Sequence, residues 1–260
     1  MRVLLLDIET SPNKAYAWGL WHELRSTTFL TSNWFIMCWC AKWLNDKKGI
    51  MSASIHESST YKKDPENDKE LLLKLQKLLD EADIVIAHNG IKFDCKKINT
   101  RFIMNDIKPP SPYKILDTLK ATRASFSFTS NRLDDLGKFL KVGKKIDTGG
   151  FDLWKRCLNG DKKSWDKMVK YCKQDVILLE KVYKKIRPFI KHHPNSGVYL
   201  DHIRPVCPKC GKDKIWYRGF AYTAAGKFRR FQCIKCGGWG REKHNLLSKS
   251  KKVNLTTNII

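Results

Sequence analysis

Acidic residues are scarce in this chain. Only 26 Asp and Glu stand against 50 Lys and Arg, a formal net charge of +24. That imbalance disfavours a cationic partner and points to a polyanion, most often nucleic acid. A generally lysine-rich proteome would account for part of it. The excess is uneven: residues 201–260 hold fourteen Lys or Arg and three acids, against thirty-six and twenty-three in residues 1–200. Long hydrophobic runs are also missing. No stretch approaches the ~18 apolar residues of a membrane span, and WFIMCWCAKWL is interrupted by Lys42. The opening VLLLDIE meets acids after a few apolar residues, so no secretory signal is expected. The expectation is a cytoplasmic protein with no membrane partner. There, nine cysteines do not read as a disulfide framework. Internal repeats are absent too.

With 42% hydrophobic residues in 260, the chain can build one good-sized core and a small second one. RVLLLD, NWFIMCWCAKWL and GIMSASIHE read as strands. DPENDKELLLKLQKLLDEA reads as a helix with Leu71, Leu72, Leu75, Leu78 and Leu79 on one stripe. A short buried strand, DIVIAHNG, and a helix, DCKKINTRFIMND, come next, and YKILDTLK reads as a strand or strand end. SNRLDDLGKFLKVG is expected to be a short helix, capped by Asn131 and stopped at Gly143. Residues 160–190 show a long helical pattern whose last turn falls at Pro188. Strands first, then strand and helix alternating, imply an α/β domain with a mixed sheet flanked by helices. The expected domains are 1–190, a linker at 191–203, a cysteine module at 204–242 and a basic flexible tail at 243–260.

Asp7 and Glu9 in LLLDIETSP are two residues apart on a strand, so both carboxylates stand on one face. Such a pair repels unless a positive charge compensates it, and a divalent metal is the obvious candidate. Solvated acids at a strand end, or a turn cap, are the other readings. Asp94 lies just beyond DIVIAHNG, where it reads equally as a helix N-cap. Tyr171 and Asp175 in KYCKQD are one turn apart on one helical face. A surface aspartate among lysines is the alternative there.

In this order, DxE on a first strand, NxxxFD after a central strand and YxxxD on a late helix, the chain resembles the DEDD exonucleases. These form the DnaQ-like branch of the ribonuclease H-like superfamily. Tyr171 makes it similar to the DEDDy subgroup, and SPNKAYAWGLW, PPSPYKILDTLK, GGFDLWKRCLNGD and KYCKQDVILLE resemble phage and prophage predicted exonucleases. The resemblance covers roughly residues 1–190. It implies a metal-dependent 3′–5′ exonuclease, DNA favoured over RNA, with catalytic residues Asp7, Glu9, Asp94, Tyr171 and Asp175. It further implies two Mg²⁺ or Mn²⁺ ions: Asp7 bridging both, Glu9 and Asp175 holding the ion that activates water, and Asp94 holding the other. Tyr171 would orient the attacking water. Thr10, Asn89 and Phe93 are expected near the substrate, with Phe93 read equally as core. Single strands or 3′ ends, replication or repair proteins, and a bacterial host cytoplasm complete the implied setting. A structure-specific or hybrid-cleaving endonuclease and a non-catalytic binding factor are the alternatives. His88 reads as structural, Asp117 as a supporting acid or a cap, Asp134 and Asp135 as first-turn acids complementing a helix dipole, and Trp18 and Trp21 as interior packing residues, with base stacking the alternative.

Cys207, Cys210, Cys233 and Cys236 form CxxC, a gap of twenty-two residues, and CxxC. Four thiolates so spaced suit one tetrahedral structural Zn²⁺, and the segment resembles a zinc ribbon. Gly211 and Gly237 fit the tight turns after each pair. A redox pair or an iron–sulfur site is the other reading. Between the pairs, aromatics interleave with Arg218, Lys227, Arg229 and Arg230. Some would form a minimal core and the rest would contact nucleic acid or protein. Cys38, Cys40, Cys95, Cys157 and Cys172 read as small core residues.

Overall fold

A computed structural model describes residues 1–19 and 26–256. It divides into two units, Arg2–Val182 and the part from Tyr183 onward. In the first, the apolar run at the N-terminus forms β1 (Val3–Thr10), with Val3 to Leu6 and Ile8 buried. A strand buried on both faces belongs at the centre of a sheet covered on both sides. β2 (Ile36–Trp43) pairs with it antiparallel, and β3 (Met51–Ser54) pairs antiparallel with β2. On the other side β4 (Ile84–Ala87) and β5 (Lys114–Asp117) run parallel to β1. The mixed five-stranded sheet has the order β3-β2-β1-β4-β5.

Alternation along β2 sends Trp39 and Cys40 to opposite faces. On one face Trp39 Nε1 donates to Leu71 O (2.8 Å) in α1 (Lys69–Asp80), beside α2 (Asp94–Met104). On the other, Cys40 Sγ lies 3.8 Å from Val169 O and Lys42 Nζ 2.5 Å from Glu180 Oε2, both in α6 (Lys162–Ile186). The α1 stripe buries Leu71, Leu72, Leu75 and Leu79, each contributing roughly 1.5–3 kcal/mol by leaving water. Leu78 is only half-buried.

Three shorter helices lie between: α3 (Thr118–Ser125), α4 (Leu133–Phe139) and α5 (Asp152–Leu158). Asn131 does not cap α4. Arg132 holds the cap position without a side-chain bond, and Asn131 O is taken by His88 Nε2 (2.9 Å). Lys141, in left-handed backbone at φ 54°, closes that helix two residues before Gly143. GIMSASIHE is a strand only to Ser54, after which Ile55–Glu57 turns as a 3-10 helix. Trp18, read as interior, is 89% exposed, and Trp21 lies outside the described residues. The five scattered cysteines are buried, as expected.

In the second unit β6 (Ile215–Thr223), β7 (Gly226–Cys233) and β8 (Trp239–Arg241) form an antiparallel sheet with β7 central. Phe228 and Phe231 are buried there, with Cys207 and Cys233. Within the stretch expected to fray, Lys249–Val253 forms a short helix, α7, whose Lys251 N–H is capped by Ser248 Oγ. No described helix is long and apolar enough to cross a membrane.

Candidate active site

At its C-terminal end β1 carries Asp7 and Glu9 on the α6 face, paired with Cys40 and Cys38 of β2. Cys172 of α6 confirms the face: its Sγ lies 3.6 Å from Asp7 Oδ2. α6 buries Trp165, Met168, Cys172, Val176, Leu179 and Val182, and Asp175 lies within that stripe, 1% exposed. Helical spacing thus delivers a carboxylate to the strand's acids. Ligand atoms of Asp7, Glu9 and Asp175 all lie within 4.8 Å of one another. Asp94 is outside that trio but adjacent: buried as the first residue of α2, its Oδ1 accepts the Ile8 N–H (3.3 Å). It is therefore not the helix cap, since Phe93 holds that position.

This crowding has a clear electrostatic signature. Burial, then the charges of Glu9, Asp94 and Asp175, hold Asp7 well above the usual carboxylate range. Burial and then Asp175 push Glu9 up to about 8. Burial pushes Asp94 up to about 7, against hydrogen bonds from its own amide and that of Ile8. Asp175 is also raised by burial, with Lys145 opposing. Lys145 Nζ lies 2.5 Å from Asp175 Oδ2 and 3.0 Å from Tyr171 OH. Burial alone would lower its pKa, but Asp175 holds the ammonium protonated. One lysine faces four carboxylates, and Asp175 Oδ1 is buried without a hydrogen-bond partner. Oxygen donors in surplus, with one orphaned, fit hard divalent cations.

Two helices not read from the sequence support this cluster. Asp117 caps α3, accepting from the Leu119 and Lys120 amides, and also accepts from Asn89 and Ile91 N–H (3.0 and 3.2 Å). It is thus a cap that also shapes the turn leading to Asp94. That turn needs left-handed backbone at Asn89 (φ 69°). It also needs glycine at 90, where a Cβ would sit 2.5 Å from that of Ala87. From α5, Trp154 Nε1 donates to Thr10 O (3.2 Å), and its ring meets Tyr171 edge-on with centroids 6.5 Å apart. Asp134 Oδ1, in the first turn of α4, accepts the Lys145 amide (2.7 Å) and so fixes the loop bearing that lysine. Sequence reasoning missed Lys145, because nothing in VGKKIDTGG separates it from the chain's other basic residues.

The four module cysteines also converge. Their Sγ atoms lie within 4.8 Å of one another, with Cys207–Cys236 and Cys210–Cys233 both at 3.6 Å. That is too long for a disulfide and near the roughly 3.8 Å edge of a thiolate tetrahedron with ~2.3 Å metal–sulfur bonds. Gly211 and Gly237, at φ 70° and 73°, return their amides to Cys207 O and Cys233 O (2.8 Å each). The cluster is suited to a closed, structural metal site.

A family model described as RNase_H superfamily matches residues 46–187, more than half of the chain. The chain belongs to the RNase H superfamily. The matched span contains Asp94, Lys145, Tyr171 and Asp175 and begins after Asp7 and Glu9. A stretch of 79 residues is 38% identical to the PolC-type DNA polymerase III of Ureaplasma parvum serovar 3. It covers 29% of this chain and 5% of that protein. Among solved structures, the family B DNA polymerase of the archaeon Pyrobaculum calidifontis is similar in fold, with a TM-score of 0.53 at 13% identity. That likeness spans 72% of this chain and 24% of the polymerase.

Within this RNase H superfamily fold the expected substrate residues are unevenly placed. Phe93, 37% exposed beside Asp94, is not core. Thr10 ends β1 just after its bulge, and Asn89 lines an open pocket of about 560 Å³ with His88, Arg123, Arg132 and Lys145. His88 is structural, bonded by Thr118 Oγ1 and Asn131 O (2.9 Å each), with its pKa lowered by burial. Arg218 and Arg230 pack over tryptophans, whereas Arg229 packs over Tyr217.

Proposed function

We propose that the chain is a metal-dependent 3′–5′ exonuclease of the DEDDy type acting on nucleic acid, DNA by preference. The convergence of Asp7, Glu9 and Asp175 within 4.8 Å, with Asp94 bonded to the strand between the first two, carries this reading. Asp7, Glu9 and Asp175 would hold one Mg²⁺ or Mn²⁺, and Asp94 with Asp7 a second. Bound there, such ions supply an activated water and charge stabilisation at the phosphate. Tyr171 would orient that water by hydrogen bonding. Burial and the Asp175 charge hold its phenol above the usual range, so it keeps its proton and is no general base at neutral pH. Lys145 pins the Tyr171 hydroxyl and Asp175 in one arrangement. Phe93, exposed at the rim, offers an aromatic face to a terminal base. Partial similarity to DNA polymerases supports DNA as the polymer. The 3′–5′ polarity rests on the DEDDy motif order, as does a phage-type setting in a bacterial host's cytoplasm beside replication or repair proteins. Structural Zn²⁺ in the cysteine module completes the reading.

The test is digestion of 5′-labelled single strands with Mg²⁺ or Mn²⁺. The expected result is a ladder shortening from the 3′ end, reduced in Asp7→Asn by more than about 100-fold, the upper figure for losing a mere supporting partner of a metal ligand. Cuts within a circular strand would replace this reading by an endonuclease. Binding without cleavage, equal in wild type and variant, would replace it by a non-catalytic factor.

A further inference from the structure

The sheet of the cysteine module turns one unusual face outward. Register places Trp216 of β6, Gln232 of β7 and Trp239 of β8 in one row across three strands. Alternation puts Arg230 on the same face, opposite Arg241. Arg218, two residues after Trp216, lies there as well, at a register shift between Tyr217 and Phe220 where Gly219 has φ 66°. The Arg218 guanidinium lies 4.5 Å from the Trp216 ring centre and 5.8 Å from that of Trp239. Arg230 lies 4.9 Å over Trp239, and its Nε donates to Arg218 O (2.9 Å).

The module does not need these tryptophans for its own packing. Phe228, Phe231 and Cys233 are buried, while Trp216 and Trp239 stay 58% and 42% exposed. Nor, among the described residues, does an acid pair with either arginine. Residues 201–260 contain three acids, Asp201, Asp213 and Glu242, and the Glu242 carboxylate is taken by the Tyr217 hydroxyl of the opposite face. Paired indoles with guanidiniums laid over them, on a surface short of acids, match a polymer offering flat bases and phosphates. A duplex stacks its bases on one another and withholds their faces; a single strand does not.

We propose that Trp216 and Trp239, with Arg218 and Arg230, form a single-strand binding face that stacks bases and neutralises phosphates. Its occupant is single-stranded nucleic acid, held with little preference for sequence. This binding stands apart from the nuclease reading and survives if that reading fails.

The test uses full-length, zinc-loaded protein carrying Asp7→Asn, so that strands stay intact. A fluorescein-labelled dT20 and the same strand paired with dA20 are titrated by anisotropy. Single-strand preference is expected. Trp216→Ala with Trp239→Ala should weaken dT20 binding roughly 10- to 100-fold, while the Phe pair retains most of it. Arg218→Gln with Arg230→Gln should flatten the salt dependence by about 0.7 for every phosphate the arginines had neutralised. Zinc content and circular dichroism identify variants that still fold, and if the Ala pair does not, the Gln pair, which keeps both rings, provides the readout: unchanged affinity and salt slope there would equally overturn the proposal. Unchanged dT20 affinity in the folded Ala pair would overturn the proposal and leave a protein-docking face. Equal affinity for strand and duplex would overturn it in favour of charge alone.

Discussion

Lys145 is the only cation bonded to the acid cluster among the described residues, and its removal tests what the cluster needs. Without it, Asp175 loses its Oδ2 partner while Oδ1 already has none, and the Tyr171 hydroxyl loses its anchor. Lys145→Met should lower turnover by about 10–100-fold, the range for losing a partner that orients a metal-binding group. Lys145→Arg should recover part of it; a Met variant with wild-type turnover would refute the positioning role. The acids make a second prediction, for protein freed of Mg²⁺ and Mn²⁺ but retaining zinc. Burial pushes Glu9 up to about 8 and Asp94 up to about 7, whereas carboxyls in the unfolded chain titrate at about 4. Between those limits the folded chain holds protons that the unfolded chain has released. Their contribution to stability is full below the unfolded values and fades as pH rises through the folded ones. Tm should therefore fall between about pH 5 and about pH 8, and added Mn²⁺ should raise it more at the higher pH. A Tm independent of both would refute the account. The paired acids were legible because a period of two is a sequence property. Lys145 was not, because its role comes from a loop held by the Asp134 carboxylate.

Single elements explain the next level. Asp68, fully buried ahead of α1, accepts from Ile36 N–H of β2 (2.9 Å) and from Arg101 Nε and Nη2 of α2 (2.7 and 2.8 Å). Asn105 Nδ2 adds a fourth bond at 3.1 Å. One carboxylate thus ties a strand and two helices together. Asp68→Ala leaves the Arg101 guanidinium, mostly buried, without its anion, and should cost about 3–5 kcal/mol of stability. Urea denaturation followed by circular dichroism reads that loss, and a change under about 1 kcal/mol would contradict it. Pattern alone found β1 to β5, α1, α2, α4 and α6, because each is a compact apolar run, a helically periodic stretch or a segment bounded by turn residues. It passed over α3 and α5, which are eight and seven residues long and too short to be marginally stable alone. Such helices form because of what they pack against, and α5 sets Trp154 between Thr10 and Tyr171.

Charge operates over the whole chain. The polyanion substrate proposed above would meet 50 basic residues and 26 acids, with positive density greatest in residues 201–260. The acid cluster lies in the Arg2–Val182 unit and the densest basic stretch follows it in sequence. Affinity and chemistry should therefore separate when the latter is removed. A chain ending at residue 200, checked for fold by circular dichroism, should bind single strands more weakly and with a shallower salt slope. The slope should drop by about 0.7 for each phosphate that the missing residues would have neutralised. Turnover at saturating substrate should stay within about threefold, since uniform binding lowers KM without raising kcat. Equal affinity and equal slope would show that the terminal charge is idle on this substrate. A collapse of kcat in a folded truncated chain would show that residues 201–260 act in the chemical step. The expected split follows from the proposed roles of the two sites: four thiolates would close a structural metal position to reactants, whereas the acid cluster would hold the ions at which the phosphate reacts.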